Sequence, residues 1–236
     1  MSRLLCFAVR GVGEIRAGDD LVELLLDALR AQGDDLEAGD LVTVTSKVVS
    51  KSEGRVIAFD GTDAHRDAII DAESVRTLRR RGPLRITETH HGFVNANAGV
   101  DFSNTDEHTA VLLPTDPDRS ARRFRGELSR RTGLDVAVII TDTMGRTWRN
   151  GVTDVAIGSA GLTPILDLRG TYDANGRLLE ATEVAIVDEI AGAVHLVLAK
   201  DANTPFAVVR GLDPRCFGAG SVGDTIVRSP TGDLFR

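Results

Sequence analysis

Aromatic residues are scarce in this 236-residue chain: eight Phe, one Trp and one Tyr amount to 4% of it. A core must therefore be built mainly from Val, Leu, Ile and Ala. Cysteine is scarcer still. Cys6 and Cys216 supply neither a disulfide framework nor metal-ligand spacing, and read as two reduced thiols of a cytoplasmic protein. No apolar run approaches the roughly 20 residues that span a bilayer. The opening "MSRLLCFAVRGVGEI" is interrupted by Arg10 and Glu14 too early for a signal peptide, and reads as a first strand. Positive charge is in deficit: the formal net charge of −7 argues against a general nucleic-acid binder. Also missing are a P-loop, a G-x-S-x-G elbow and any local setting that would activate a cysteine. What is present is ordinary hydrophobic content, 42%, in a chain long enough for one large domain or two intertwined subdomains.

Periodicity places a buried strand at residues 4–9 and a helix at "DLVELLLDALRAQG", capped by Asp19 or Asp20 and ended by Gly33. Leu41 to Thr45 suit a strand, after which the polar residues from Ser46 turn or edge the sheet. "TDAHRDAIIDAESVRTLRRR" reads as a helix capped by Thr62 or Asp63, with Arg79 to Arg81 at its basic C-terminal end. Strand-like pieces at 84–104 and at "TAVLLPTDPD" follow, then an amphipathic helix at "RSARRFRGELSRRTG". "DVAVIITDT" is a buried strand, "EATEVAIVDEIAGAVHLVLAK" a long helix and "PFAVVRG" a last strand. This order predicts a mixed α/β or α+β fold without the regular alternation of a doubly wound sheet.

Four polar stretches break the apolar pattern. "TSKVVSK" carries Ser46, Lys47, Ser50 and Lys51. Its lysines and hydroxyls suit phosphate oxygens, but residue chemistry alone favours an exposed edge strand guarded by lysines. "HHGFVNANAGVDFSN" sets Asn95, Asn97, Asp101, Ser103 and Asn104 among small residues, as a ligand loop or an Asx-rich turn would; the adjacent His90 and His91 diverge and suit surface roles. In "VIITDTMGRTWRNGVTD", Asp142 and Thr143, with Asp101, offer hard oxygen donors to Mg²⁺ or Mn²⁺. Arg146 and Arg149 either neutralise substrate charge or pair with Asp142 and Asp154 at a capped strand end. "AKDANTP" brings Lys200, Asp201 and Asn203, and reads as a surface turn.

Taken in order, "VTSKVVSKSEGRVI", "ETHHGFVNANAGVDFSN" and "IITDTMGRTWRNGVTDVAIGSAGL" closely resemble the coenzyme F420-0:L-glutamate ligase family, and the similarity runs from about residue 4 to "AVVRG". The resemblance implies an α+β fold of mixed sheets with flanking helices, in two subdomains within a single domain over 1–236. It implies an intertwined two-fold dimer, and no nitroreductase-like domain following as in some relatives. The activity implied is GTP-dependent addition of L-glutamate to a deazaflavin coenzyme precursor, with two Mn²⁺ or Mg²⁺ ions per site and often K⁺. Carried over by motif, Asp101 and Asp142 would bind the first metal and Thr143 the second. Ser46, Lys51 and Asn104 would contact GTP, as would the loop Val12, Gly13, Glu14 and Ile15, where Gly13 replaces a common proline. Lys51, Arg146 and Arg149 are the expected catalytic side chains. Two rivals stay open: a metal-dependent phosphohydrolase built on the same acids, and a non-catalytic nucleotide- or deazaflavin-binding protein.

Overall fold

The computed structural model describes residues 3–102, 108–198 and 204–234. In chain order the elements begin β1 (Leu5–Val9), α1 (Leu21–Gln32), β2 (Leu41–Thr45), α2 (Ser46–Ser52), β3 (Val56–Ala58) and α3 (Asp63–Ala72). Next come β4 (Ser74–Arg81), β5 (Leu84–Thr89), β6 (Val94–Ala96), β7 (Thr109–Val111) and α4 (Pro117–Thr132). The chain continues through β8 (Ala137–Arg146), β9 (Arg149–Ala160), β10 (Leu166–Asp167) and β11 (Glu183–Val184), then α5 (Ile186–His195), β12 (Phe206–Arg210) and α6 (Val222–Thr225). The architecture is mixed α+β, one of the two classes the residue pattern allows and the one the resemblance implies.

A five-stranded sheet in the order β1-β12-β2-β8-β9 forms the centre. Only β2 and β8 run parallel, with Leu41 opposite Ala137 and Thr45 opposite Thr141. Alternate residues serve two cores. Val42, Val44, Val138, Ile140, Phe206 and Val208 face α1 and α4, meeting Leu25, Leu29, Ala121 and Leu128. Leu41, Ile139, Ala207 and Val209 face α5, meeting Val187, Ile190, Ala191 and Val194. Burial on both faces is why β2, β8 and β12 read as almost continuous aliphatic runs. A third cluster, including Ile70, Val100 and Ala110, holds α3 against the small β3–β7 sheet. Beside it lies the three-stranded sheet β4-β5-β6.

The helix starts and stops follow local chemistry. Asp20 caps α1 by accepting from the Val22 and Glu23 N–H groups, and Gly33 closes it in the left-handed conformation. Thr62 caps α3, and Gly133 ends α4 with φ +72°.

Three expected elements are different. The helix read through 62–81 stops at Ala72, and residues 74–81 are β4, paired antiparallel with β5. Gly82 (φ +58°) and Pro83 make the connecting two-residue turn, so Arg79, Arg80 and Arg81 line an exposed strand rather than a helix end. Residues 46–52 are neither turn nor edge strand but helix α2, whose Ser46, Val48, Val49 and Ser50 are buried. The long helix read over 180–200 is shorter: Glu183–Val184 is a strand, and α5 covers only Ile186–His195.

β9 is an edge strand, and α4 lies over it at very close range. A Cβ on Gly158 would stand 2.4 Å from the Pro117 carbonyl carbon and oxygen. From the next residue, Asp118 Oδ1 accepts the Ser159 N–H (2.8 Å) and the Val222 N–H (2.9 Å), while Oδ2 accepts the Gly223 N–H (3.0 Å). One carboxylate thus satisfies three backbone donors from two elements. Asp118→Ala should cost about 1–3 kcal/mol, since it takes the acceptor from two part-buried donors and one exposed one. Gly158→Ala should cost about 1–3 kcal/mol by overpacking. Urea unfolding midpoints of the two variants against the unmodified chain provide the check.

Candidate active site

The parallel pair β2–β8 ends with Thr45 beside Thr141, so the next residue on each strand, Ser46 and Asp142, are neighbours. There β2 turns into α2, while β8 continues into the hairpin with β9. Ser46 Oγ donates to Asp142 Oδ1 at 2.7 Å across 96 residues of sequence. Burial pushes the Asp142 carboxyl up to about 6; the negative charges of Asp154 and Asp101 add to this, and bonds from Ser46 and the Thr143 N–H oppose it.

The hairpin alternates its side chains between two faces. Asp142 and its ladder partner Val155 share one face, and Thr143 and its partner Asp154 the other. Asp154 is 6% exposed. Its Oδ1 accepts from Thr143 Oγ1 at 2.6 Å and stands 2.6 Å from Nδ1 of His195, at the C-terminal end of α5. Together Thr143, Asp154 and His195 form one wall of a cavity of about 190 Å³. Opposite them are Gly13, Glu14 and Ile15 of the N-terminal loop, Thr45 at the end of β2, and Lys47, Val48 and Lys51 of α2. Lys51 pairs with Glu14, and Lys47 with Asp101. Val12 and Ile15 are buried anchors, which leaves Gly13 and Glu14 at the rim.

Residues from three expected stretches therefore converge: Ser46 and Lys51, Asp101, and Asp142 with Thr143. Asn104, Ser103, Lys200, Asp201 and Asn203 lie outside the described residues. Arg146 and Arg149 are not at the cavity. They face each other as cross-strand partners at the exposed tip of the hairpin, and Arg146 donates to the Asn150 carbonyl at 2.7 Å. Arg146 lies four residues along the strand from Asp142, about 13 Å. Neither pairs with Asp142 or Asp154, whose described partners are Ser46, Thr143 and His195. His90 and His91 do diverge: His90 Nε2 meets the Ala72 carbonyl, and His91 Nε2 the Pro114 carbonyl.

Sequence reasoning gave Asp154 no role in the cavity and did not single out His195. The period-2 alternation of a hairpin turning at Thr147–Trp148 was the available signal for Asp154. No local signal marks His195, which sits on the amphipathic α5 and reaches the cavity only through the packing of that helix.

Chemically, the cavity offers the ammonium groups of Lys47 and Lys51, the carboxylates of Glu14 and Asp154 with Asp101 and Asp142 beside them, and the hydroxyls of Thr45, Thr143 and Thr204. Among the described residues, no three acid, histidine or cysteine side chains form a metal cluster; the Asp101 carboxylate is engaged by Lys47. No helix among them is long and apolar enough to cross a membrane.

Residues 11–211 match the family model described as F420-0:Gamma-glutamyl ligase. The chain is 41% identical to the Coenzyme F420:L-glutamate ligase of Methanothermobacter thermautotrophicus over 219 residues, 86% of this chain and 87% of that protein. It is also 41% identical to the protein of that name from Methanopyrus kandleri over 94% of each chain, and 38% identical to that of Haloarcula marismortui over 98% of this chain and 95% of the other. With the match to the model spanning most of its length, and the relatives aligned nearly end to end, the chain belongs to the F420-0:gamma-glutamyl ligase family of coenzyme F420 biosynthesis.

Proposed function

We propose that this protein is a GTP-dependent ligase that joins L-glutamate, through a γ-linked amide, to the coenzyme F420 precursor and proceeds through an acyl phosphate. The observation that carries this reading is the cavity in which Lys51, Lys47, Glu14, Thr143 and Asp154 meet beside Asp142, with no serine or cysteine among its described lining residues. A volume of about 190 Å³ suits phosphate groups rather than a whole nucleotide, so base and ribose would extend along the rim at residues 12–15.

A carboxylate is a poor acylating agent at neutral pH. Attack of its oxygen on the γ-phosphate of GTP breaks the bond to the β-phosphate oxygen and yields an acyl phosphate with GDP. The glutamate amine then attacks the acyl carbon, phosphate leaves, and the amine proton is lost to solvent or a nearby base. Such chemistry asks the protein for alignment and charge neutralisation more than for covalent participation. Lys51, mostly buried at the cavity wall, would release Glu14 and hold a phosphate oxygen. Ser46 orients the Asp142 carboxylate, and Asp154 fixes the Thr143 hydroxyl.

Carboxylate and hydroxyl oxygens are the donors that hard divalent cations take. Asp142 and Asp101 would hold a first Mg²⁺ or Mn²⁺ and Thr143 a second. A carboxyl pushed up by burial and by two neighbouring acids is one that a cation would relieve. Lys47 would then have to leave Asp101. Such ions, when bound, neutralise phosphate charge as it redistributes. From the resemblance, the proposal extends to K⁺ as an accessory ion and to a two-fold homodimer as the working assembly. Arg146 and Arg149, at the exposed hairpin tip, would meet substrate carboxylates that extend beyond the cavity.

The deciding experiment is mass spectrometry of reactions containing glutamate-free F420 precursor, GTP, L-glutamate and Mn²⁺, with each component omitted in turn. A product heavier by glutamyl units only when all are present is the expected result; phosphate release without it would instead indicate a phosphohydrolase. Asp142→Ala should lower kcat by more than the roughly 10–100-fold typical of losing a partner behind a metal ligand. Asp142→Asn should be as inactive, yet melt no lower than the unmodified protein, because it removes a carboxylate that burial disfavours. Lys51→Met should raise the KM for GTP about 10-fold or more while leaving that for glutamate within about 2-fold, in steady-state assays.

A further inference from the structure

A second cavity, about 790 Å³, lies on the far side of the hairpin at the open edge of β9. Its wall is largely apolar: Phe93 and Val94 at the start of β6, Ile86 of β5, Met144 and Val155 of the hairpin, and Trp148 at its turn. Two of the three sequence stretches that carry the family resemblance thus contribute side chains that the phosphate cavity does not use. The volume falls within the range for small-molecule sites.

The location is the telling feature. Val155 is the ladder partner of Asp142, and Met144 follows Asp142 by two residues on the same face. A ligand lying on these two side chains therefore has one end within about 5–7 Å of Asp142. Trp148, the one tryptophan of the chain, is 88% exposed and holds φ +65° at the second position of a two-residue turn, where glycine or asparagine is usual. A bulky residue kept in that conformation with its ring in solvent gains nothing for the fold. The rim is basic. Arg76, Arg79 and Arg228 line it, with Arg76 held by Glu88 and Arg79 bonded to the Leu78 carbonyl. Two acids, Asp188 and Asp233, share the lining, and an oxygen of Asp188 is taken by the Ala156 N–H at 3.0 Å.

We propose that this cavity binds the acceptor: the flat deazaflavin ring lies against Trp148, Met144 and Phe93, Arg79 and the rim arginines meet its acidic tail, and the reacting carboxylate passes Val155 to reach Asp142. The inference rests on the ligase reading given above. Its components match in kind: a planar, largely apolar heterocycle needs an aromatic and thioether surface, and its anionic tail needs guanidinium groups. The ring then lies on the Met144–Val155 face, and the acceptor carboxylate meets the phosphates where β8 leaves the sheet at Asp142.

The test is the fluorescence anisotropy of the glutamate-free precursor titrated with protein, in the absence of GTP and metal. Two variants are compared with the unmodified protein, Trp148→Gly, which relaxes the turn and so should fold, and Arg79→Glu, on an exposed strand. Each should weaken precursor binding about 10-fold or more, and raise the KM for the precursor in the full assay while the KM for GTP stays within about 2-fold. Quenching of the Trp148 emission by the precursor in the unmodified protein should follow the same isotherm. Unchanged affinity in both variants overturns the proposal. So does a loss of affinity that merely tracks conversion of a dimer to a monomer in sedimentation, since the face would then join copies of the chain. Because binding is read without turnover, tight, Trp148-dependent binding with no glutamate addition would keep the cavity assignment and remove the ligase reading. Glutamate addition with variant-independent binding would do the reverse.

Discussion

The site depends on the parallel alignment of β2 and β8. These strands come from distant parts of the chain, yet their shared direction and register end them at one level, Thr45 beside Thr141. Parallel neighbours present their carboxyl ends together, and open sheets place ligands there. The two chains then part: β2 folds into α2, which delivers Lys47 and Lys51, while β8 runs on past the sheet and delivers Asp142 and Thr143. A one-residue slip would send Asp142 to the opposite face, so the strand pairing that sets Thr45 beside Thr141 also fixes the chemistry.

Much of this was legible in the residues. The aliphatic runs at 41–45, 137–141 and 206–210, the caps at Asp20 and Thr62 and the stops at Gly33 and Gly133 mark elements whose local chemistry and tertiary role agree. The errors fall where they disagree. Residues 74–81 carry Val75 and Leu78 at spacings compatible with continuing α3, and only the Gly82–Pro83 turn, flanked by two arginine-bearing runs, signals a hairpin. The lysines of α2 look solvated in sequence and so suggest an edge strand. In fact Val48, Val49 and Ser50 are buried, and Lys51 lies mostly covered beside Glu14.

Within the site, residues next to a strand end were found, and residues delivered by packing were not. Asp142 and Thr143 follow an unmistakable buried strand. Asp154 needed the hairpin's pairing, and His195 needed α5 to lie on β9, which no local pattern encodes. Arg146 and Arg149 show the converse: two side chains close to Asp142 in sequence are carried about 13 Å away by the extended backbone.

α5 touches the hairpin at both ends. Asp188, in its first turn, accepts the Ala156 N–H on the open edge of β9, and His195, in its last, meets Asp154 two residues away on the same strand. Seven residues are nearly two whole helical turns, so both side chains leave the same stripe of the helix, about 10 Å apart along its axis. The helix is thereby pinned in rotation and in translation at once. Inserting one residue between Asp188 and His195 would swing one anchor by about 100° relative to the other. The cavity walled by Asp154 and the cavity at the strand edge share this helix as a common spar, His195 lining the first and Asp188 the second.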